Sequence, residues 1–246
     1  MEGLSGDELR GRNATLVWDG LGTVQLRYGG SWLRQKSTKT FKALKQLGQR
    51  TVPVEALTGV ELVMPGGTED PTIRLILRER ADPILAVAGG SLDELVDPYR
   101  FDFDNKQWLL ADFYAQEIRE SIARHQLPAG PAEHWLVEAP AAPEKVKFQD
   151  VKAQLDGDVL VLDYGFAASA AKKAHGDPWR LPVADLRNVE WVMISAQQRG
   201  YLRLTTTHTP AERPAPADDP ETLYTGPLSE TDALFLGAKL LSLINW

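Results

Sequence analysis

No cysteine occurs among the 246 residues. Disulfides, zinc ribbons, iron–sulfur clusters and thiol nucleophiles are therefore excluded together. Histidine is scarce: His125, His134, His175 and His208 stand apart with no second ligand at metal spacing, so no metal site is expected. No run of about 18 uncharged apolar residues is present to span a membrane. The opening MEGLSGDELRGR is polar and acidic, unlike a signal peptide. Catalytic patterns are missing as well. The chain has no Gly-Lys-Ser/Thr phosphate loop, and Gly20-Leu21-Gly22 lacks the third glycine and following helix of a dinucleotide site. No serine sits in an elbow motif. Asp102 and Asp104 alternate with Phe101 and Phe103, the pattern of a solvated strand face rather than of an acid pair. These absences predict a cytoplasmic protein with no enzymatic activity, no cofactor and no catalytic or metal-binding residues.

What is present is a duplication. With 43% hydrophobic residues and 34 acids against 27 bases, the net charge is −7, and the chain has enough apolar content for a core. Val52 to Met64 aligns without a gap on Leu181 to Met193 at a constant offset of 129, with seven of thirteen positions identical. The offset carries Ile73-Arg74-Leu75 onto Leu202-Arg203-Leu204, and a small shift pairs Trp18-Asp19-Gly20 with Leu155-Asp156-Gly157 and Tyr28 with Tyr164. Asp82-Pro83 and Gly89 align in the same way on Asp219-Pro220 and Gly226. So many ordered landmarks imply two copies, residues 12–126 and 145–246. The stretch 127–144, with four prolines among alanines, reads as a semi-rigid linker in which Trp135, Leu136 and Val137 dock on one of the domains.

Each copy alternates like antiparallel strands and then changes period. Strands are predicted at Thr15–Trp18, Thr23–Tyr28, Thr51–Val54, Gly59–Met64, Thr72–Arg78, Pro83–Ala88 and Tyr99–Phe103, before a helix capped by Asn105. The second copy predicts strands at Val151–Leu155, Val159–Tyr164, Trp179–Val183, Val189–Ile194, Tyr201–Thr206 and Thr222–Thr225. Ser229-Glu230-Thr231-Asp232 then reads as a capping box before a helix running to Trp246. A fold class of mainly β (β + α) follows. Six or seven antiparallel strands closed by a C-terminal helix is the plan of a pleckstrin-homology-like half-open barrel, here in tandem.

Trp18-Asp19-Gly20, Lys42 to Pro53, Asp97-Pro98-Tyr99-Arg100, Gly176-Asp177, Leu181-Pro182-Val183 and Val189-Glu190-Trp191 together carry a resemblance. The chain resembles the actinobacterial domain-of-unknown-function family numbered four-four-two-nine over nearly its whole length. That resemblance implies tandem pleckstrin-homology-like domains and no chemistry.

The compositional anomaly is Ser31 to Arg50, which holds Arg34, Lys36, Lys39, Lys42, Lys45 and Arg50 and no acid, a local +6 that leaves −13 (−7 less +6) elsewhere. On a helical wheel the lysines gather opposite Phe41, Leu44 and Leu47, and Gly48 stands where a helix would stop. With Trp32 beside them, Arg34, Lys36, Lys39, Lys42 and Lys45 are the candidate binding residues. The corresponding stretch, Phe166 to Pro178, has only Lys172 and Lys173, with Asp177 against them. Three occupants remain open: an acidic protein partner, an anionic membrane surface, or no occupant and a helix that packs its apolar side on its own domain. Nucleic acid is disfavoured by the acidic remainder. The loop His208–Pro220, with four prolines, is a further interaction candidate. The sequence thus predicts an adaptor that recognises a protein segment, monomeric or weakly homodimeric, with attachment to anionic lipid through residues 31–50 as the alternative.

Overall fold

A computed structural model describes residues 8–12, 14–29, 39–64, 70–94, 96–128 and 130–244. The chain divides into two compact units, one made of 1–82 and 91–138, the other of 83–90 and 139–246. The fold is mainly β, with antiparallel sheets and a few helices in a two-part repeat.

In the first unit, β1 (Leu9–Arg10), β2 (Ala14–Trp18), β3 (Thr23–Tyr28), helix α1 (Lys39–Leu47) and β4 (Gln49–Pro53) give a four-stranded sheet in chain order. Alternation sends Leu16, Trp18, Val24 and Leu26 into the core. Leu16 faces Leu26, and Val24 faces Val52, so one face of the sheet is continuously apolar. The β2–β3 turn is built by Asp19, whose Oδ1 accepts the backbone N–H of Leu21, Gly22 and Thr23 at 2.8, 2.9 and 2.9 Å, with Gly20 at φ 75°. A 3-10 turn, Val54–Ala56, leads into a three-stranded sheet of β5 (Leu57–Val63), β6 (Thr72–Leu77) and, beyond α2 (Pro83–Val87), β7 (Arg100–Asp102). Helix α3 (Trp108–His125) then packs on β5 with Ala111, Tyr114, Ala115 and Ile118. Gly11 bridges Phe103, and a Cβ there would meet Asp102 O at 2.2 Å, so the approach of the two sheets requires glycine.

The second unit repeats the plan. Its four-stranded sheet holds β8 (Lys145–Lys147), β9 (Val151–Asp156), β10 (Val159–Tyr164) and, after α4 (Ala170–Ala174), β11 (Trp179–Pro182). Its three-stranded sheet holds β12 (Leu186–Val192), β13 (Tyr201–Thr206) and β14 (Thr222–Tyr224), and helix α5 (Glu230–Leu243) follows. Even the bulges repeat, at Leu57/Gly59 and Leu186/Asn188. In both units the strands form two sheets rather than one closed barrel.

Five expectations change. Pro83–Ala88 is a helix, not a strand: Pro83, Ile84 and Val87 are buried at helical spacing, proline suits a first helical turn, and Gly89 and Gly90 (φ 75° and 93°) stop it. Its short apolar run had no period to separate strand from helix. Asp104, not Asn105, is the cap, accepting Lys106 N–H at 2.9 Å into a 3-10 turn before α3. Ser229 caps no helix N–H, because its hydroxyl accepts Gly226 N–H instead, and Glu230 reaches Ile194 N–H at 2.6 Å. The described part of α5 ends at Leu243, before Trp246. Finally, Asp219-Pro220 corresponds to Asp97-Pro98 and not to Asp82-Pro83. Tyr28 Oη donates to Pro98 O at 2.6 Å and Tyr164 Oη to Pro220 O at 2.8 Å, while Asp97 and Asp219 accept Tyr99 and Glu221 N–H. The offset is thus 122 from this point on. The docking of Val137 stands: Leu136 and Val137 N–H both donate to Ala81 O, and Val137 is buried.

Lys172 is fully buried and does not face Asp177 as a solvated charge. Its Nζ donates to Asp150 Oδ2 at 2.6 Å and Thr222 O at 2.5 Å and lies 5.0 Å from the Tyr224 ring. Lys172→Met strands the Asp150 carboxylate and costs about 3–5 kcal/mol in denaturant unfolding. Adding Asp150→Asn, which still accepts Tyr224 N–H, recovers more than half of that loss. Asp19 supplies a pH dependence. Partial burial acts upward on its carboxyl, but the N–H groups of Gly22, Thr23 and Leu21 outweigh it and hold the pKa below the ordinary 3.8. Because the folded pKa is the lower one, the stabilisation is complete above about pH 4 and is lost as pH falls through the folded value. Asp19→Asn keeps the acceptor, so its unfolding free energy should fall less on acidification below pH 4 than that of the parent chain.

Candidate functional site

The basic segment is only partly described. Trp32, Arg34 and Lys36 lie outside the described residues, as do the side chains of Lys39 and Lys42. Lys39–Leu47 is helical, as the spacing predicts, and Gly48 (φ 63°) stops it with its N–H on Leu44 O. Lys45 is exposed, whereas Ala43 and Leu44 are buried in the first unit. That part of the apolar side is committed to the fold. Asp102 accepts Thr72 Oγ1 at 3.0 Å, and His125 Nδ1 lies 2.8 Å from Ser121 O. No cluster of metal-ligating side chains exists among the described residues.

The two copies differ where β4 and β11 meet the loop before the last strand. In the first unit the position is filled by Arg50, 4% exposed, which donates to Asp82 Oδ1 at 2.5 Å, Tyr99 Oη at 3.2 Å and Glu138 O at 2.5 Å. Tyr99 Oη in turn donates to Asp82 Oδ2 at 2.6 Å. Burial pushes the Tyr99 phenol far up, and Asp82 adds to it, so the phenol stays protonated and acts as donor. Burial opposes the Arg50 charge, but Tyr99 and Asp82 outweigh it, so the guanidinium is held more firmly charged than usual.

In the second unit the offsets of 129 and 122 put Trp179 at the place of Arg50 and Glu221 at that of Tyr99. There a cavity of about 390 Å³ opens, walled by Trp179, Pro182, Thr206, His208, Pro214 and Glu221. Glu221 is buried and pins the loop: it accepts Thr206 Oγ1 at 2.8 Å, Thr209 Oγ1 at 2.7 Å and Arg213 Nη2 at 2.7 Å. The proline loop singled out in the sequence therefore forms a wall; Asp219, expected as solvated, is buried and with Glu221 holds Arg213, while Asp218 is exposed.

A second feature escaped the sequence reading. Helix α2 belongs to the second unit, where it packs on α5 and β12. A Cβ on Gly237 would meet Val87 Cγ2 at 3.0 Å and Leu202 Cδ1 at 2.6 Å, so the glycine in α5 makes room for the incoming Val87. That lone glycine inside an apolar helix was the available signal of a close approach. The groove between a helix and an edge strand here holds a short apolar helix contributed by the first sequence copy.

A family model described as Domain of unknown function (DUF4429) matches residues 23–119 and 153–240. The chain belongs to this family. The two DUF4429 regions coincide with the two structural repeats, each running from within the first sheet into the closing helix. No curated protein shows a significant match to the chain.

Glu221→Ala leaves Arg213 and two threonine hydroxyls without their shared acceptor. The expected cost is about 2–4 kcal/mol, with faster limited proteolysis between residues 208 and 218 and no change in cleavage elsewhere.

Proposed function

We propose that the chain is a non-enzymatic adaptor made of two pleckstrin-homology-like domains, and that it recognises a segment of another protein. The domain reading is supported by the element order, a four-stranded antiparallel sheet, a three-stranded one and a C-terminal helix in each DUF4429 region. The observation that carries the adaptor reading is α2. A short apolar helix lies in the groove between α5 and β12, burying Pro83, Ile84 and Val87. This is helix-in-groove recognition made within one chain, where tethering replaces intrinsic affinity with a high effective concentration. The cavity beside Trp179 offers a second apolar receptor on the same unit. Lipid attachment through residues 31–50 has less support: Ala43 and Leu44 of that segment are buried in the first unit and are not available to a membrane. No helix among the described residues is long and apolar enough to cross a bilayer.

Panning the full-length protein against a random peptide library tests the reading. Enriched peptides that bind the purified chain saturably in solution are the expected result. If no peptide is enriched, and the chain floats with anionic vesicles in a salt-sensitive way that Lys39→Glu, Lys42→Glu and Lys45→Glu abolish, the adaptor reading falls to the membrane one.

A further inference from the structure

The duplication makes each unit a control for the other, and the sheet registers fix which residues correspond. Arg50 pairs with Leu26 and Trp179 with Leu162, each leucine lying two residues before the matched Tyr28 and Tyr164. Arg78 N–H donates to Ala56 O and Thr207 N–H to Asp185 O, which carries the offset of 129 into the turns that follow β6 and β13. In the first unit these positions hold a segment of chain with neither helix nor strand, residues 130–138. Ala132 N–H donates to Glu79 O at 2.9 Å, and the N–H groups of Leu136 and Val137 donate to Ala81 O at 3.0 and 2.9 Å. Arg78 donates to Gly130 O at 2.9 Å and Pro131 O at 3.2 Å, and Arg50 to Glu138 O at 2.5 Å. Ala132 and Val137 are buried as a result.

We propose that the cavity beside Trp179, together with the turn after β13, docks an extended segment of another protein that sets an apolar side chain against the indole. The proposal rests on the adaptor reading above and names its site and the chemistry of its occupant. The extended form comes from residues 130–138, which the first unit holds at the corresponding place. There Arg50 and the turn that follows Arg78 are the receptor. In the second unit Trp179 stands for Arg50, and His208, Thr209 and Pro210 follow Thr207. Trp179, His208 and Pro210 all line the cavity. The carbonyls of His208, Thr209 and Pro210 accept no hydrogen bond among the described residues, so they are available to the N–H groups of an extended chain. The apolar anchor comes from the substitution: an indole replaces the guanidinium that binds a carbonyl, and Pro182 and Pro214 add apolar wall. Among the charged lining residues, Arg180 and Asp185 are of opposite sign, and Asp219 and Glu221 hold Arg213, so apolar contact is what the walls offer.

The probe is a fluorescent peptide with the sequence of Gly130 to Pro140, titrated against the full chain and followed by anisotropy. In the full chain the first unit already holds this sequence in cis, at high effective concentration, so the added peptide reads the second unit. A second peptide carries Leu136→Ser and Val137→Ser. Saturable binding of the first peptide is expected, with the second about tenfold weaker or more. Trp179→Ala in the full chain should also weaken binding about tenfold or more, as loss of an aromatic anchor does. Pro214→Asp, at an exposed position of the wall, gives the same reading if Trp179→Ala does not fold: a carboxylate set into an apolar contact should weaken binding about fivefold or more. No saturation up to about 1 mM, equal binding of the two peptides, or affinity unchanged in the folded variants overturns the proposal. Self-association of the parent chain that either variant abolishes, read by sedimentation, would make a second copy of the chain the occupant and overturns it equally. Peptides from the random library that bind these variants as well as the parent would refute the cavity while leaving the adaptor reading intact.

Discussion

Where a sheet ends, its outward N–H and C=O groups need partners other than the ladder. Much of this structure answers that constraint with side chains. Tyr28 and Tyr164 donate to proline carbonyls in the segments that lead to the last strand of each repeat. Lys172 donates to Thr222 O, Arg50 to Glu138 O and Arg119 to Val60 O, while Glu230 accepts from Ile194 N–H. Gln107 binds both the N–H and the C=O of Arg10 through one amide. Because two sheets of four and three strands do not close on themselves, each unit depends on these substitutes. Several are buried charges, which need a counter-ion: Asp82 for Arg50, Asp150 for Lys172.

The same constraint explains how the copies came to differ. Both begin from one plan, and each had to fill the space between the strand after its small helix and the loop before its last strand. The first fills it with a guanidinium, a phenol and a carboxylate. The second puts Trp179 and Glu221 at the corresponding positions, uses the carboxylate to tie down a proline loop, and keeps a cavity. The closing helices differ too: α2 packs on α5, while α3 keeps Leu109 and Phe113 exposed.

The described part of the candidate lysine face is compatible with a packed helix. A run of basic residues is legible in any sequence, but whether the opposite apolar side is free depends on what it packs against. Ala43 and Leu44 are taken up by the first unit. Conversely, Phe113 belongs to the apolar pattern of α3 and reads as core, yet it is exposed. Periodicity marks an apolar position without naming the partner that covers it.

The sequence by itself determined the duplication, the antiparallel strands and the closing helices, because these rest on local periodicity and spacing that the chain states twice, once in each copy. The tertiary structure decided the rest. It made Pro83–Val87 a helix of the second unit, since a five-residue apolar run takes its conformation from the groove that receives it. It paired Lys172 with Asp150 and Arg50 with Asp82 across 22 and 32 residues, because a buried charge selects its counter-ion by proximity in space. It also left Phe113 exposed and buried Phe235, an outcome set by which segment of chain reaches which surface.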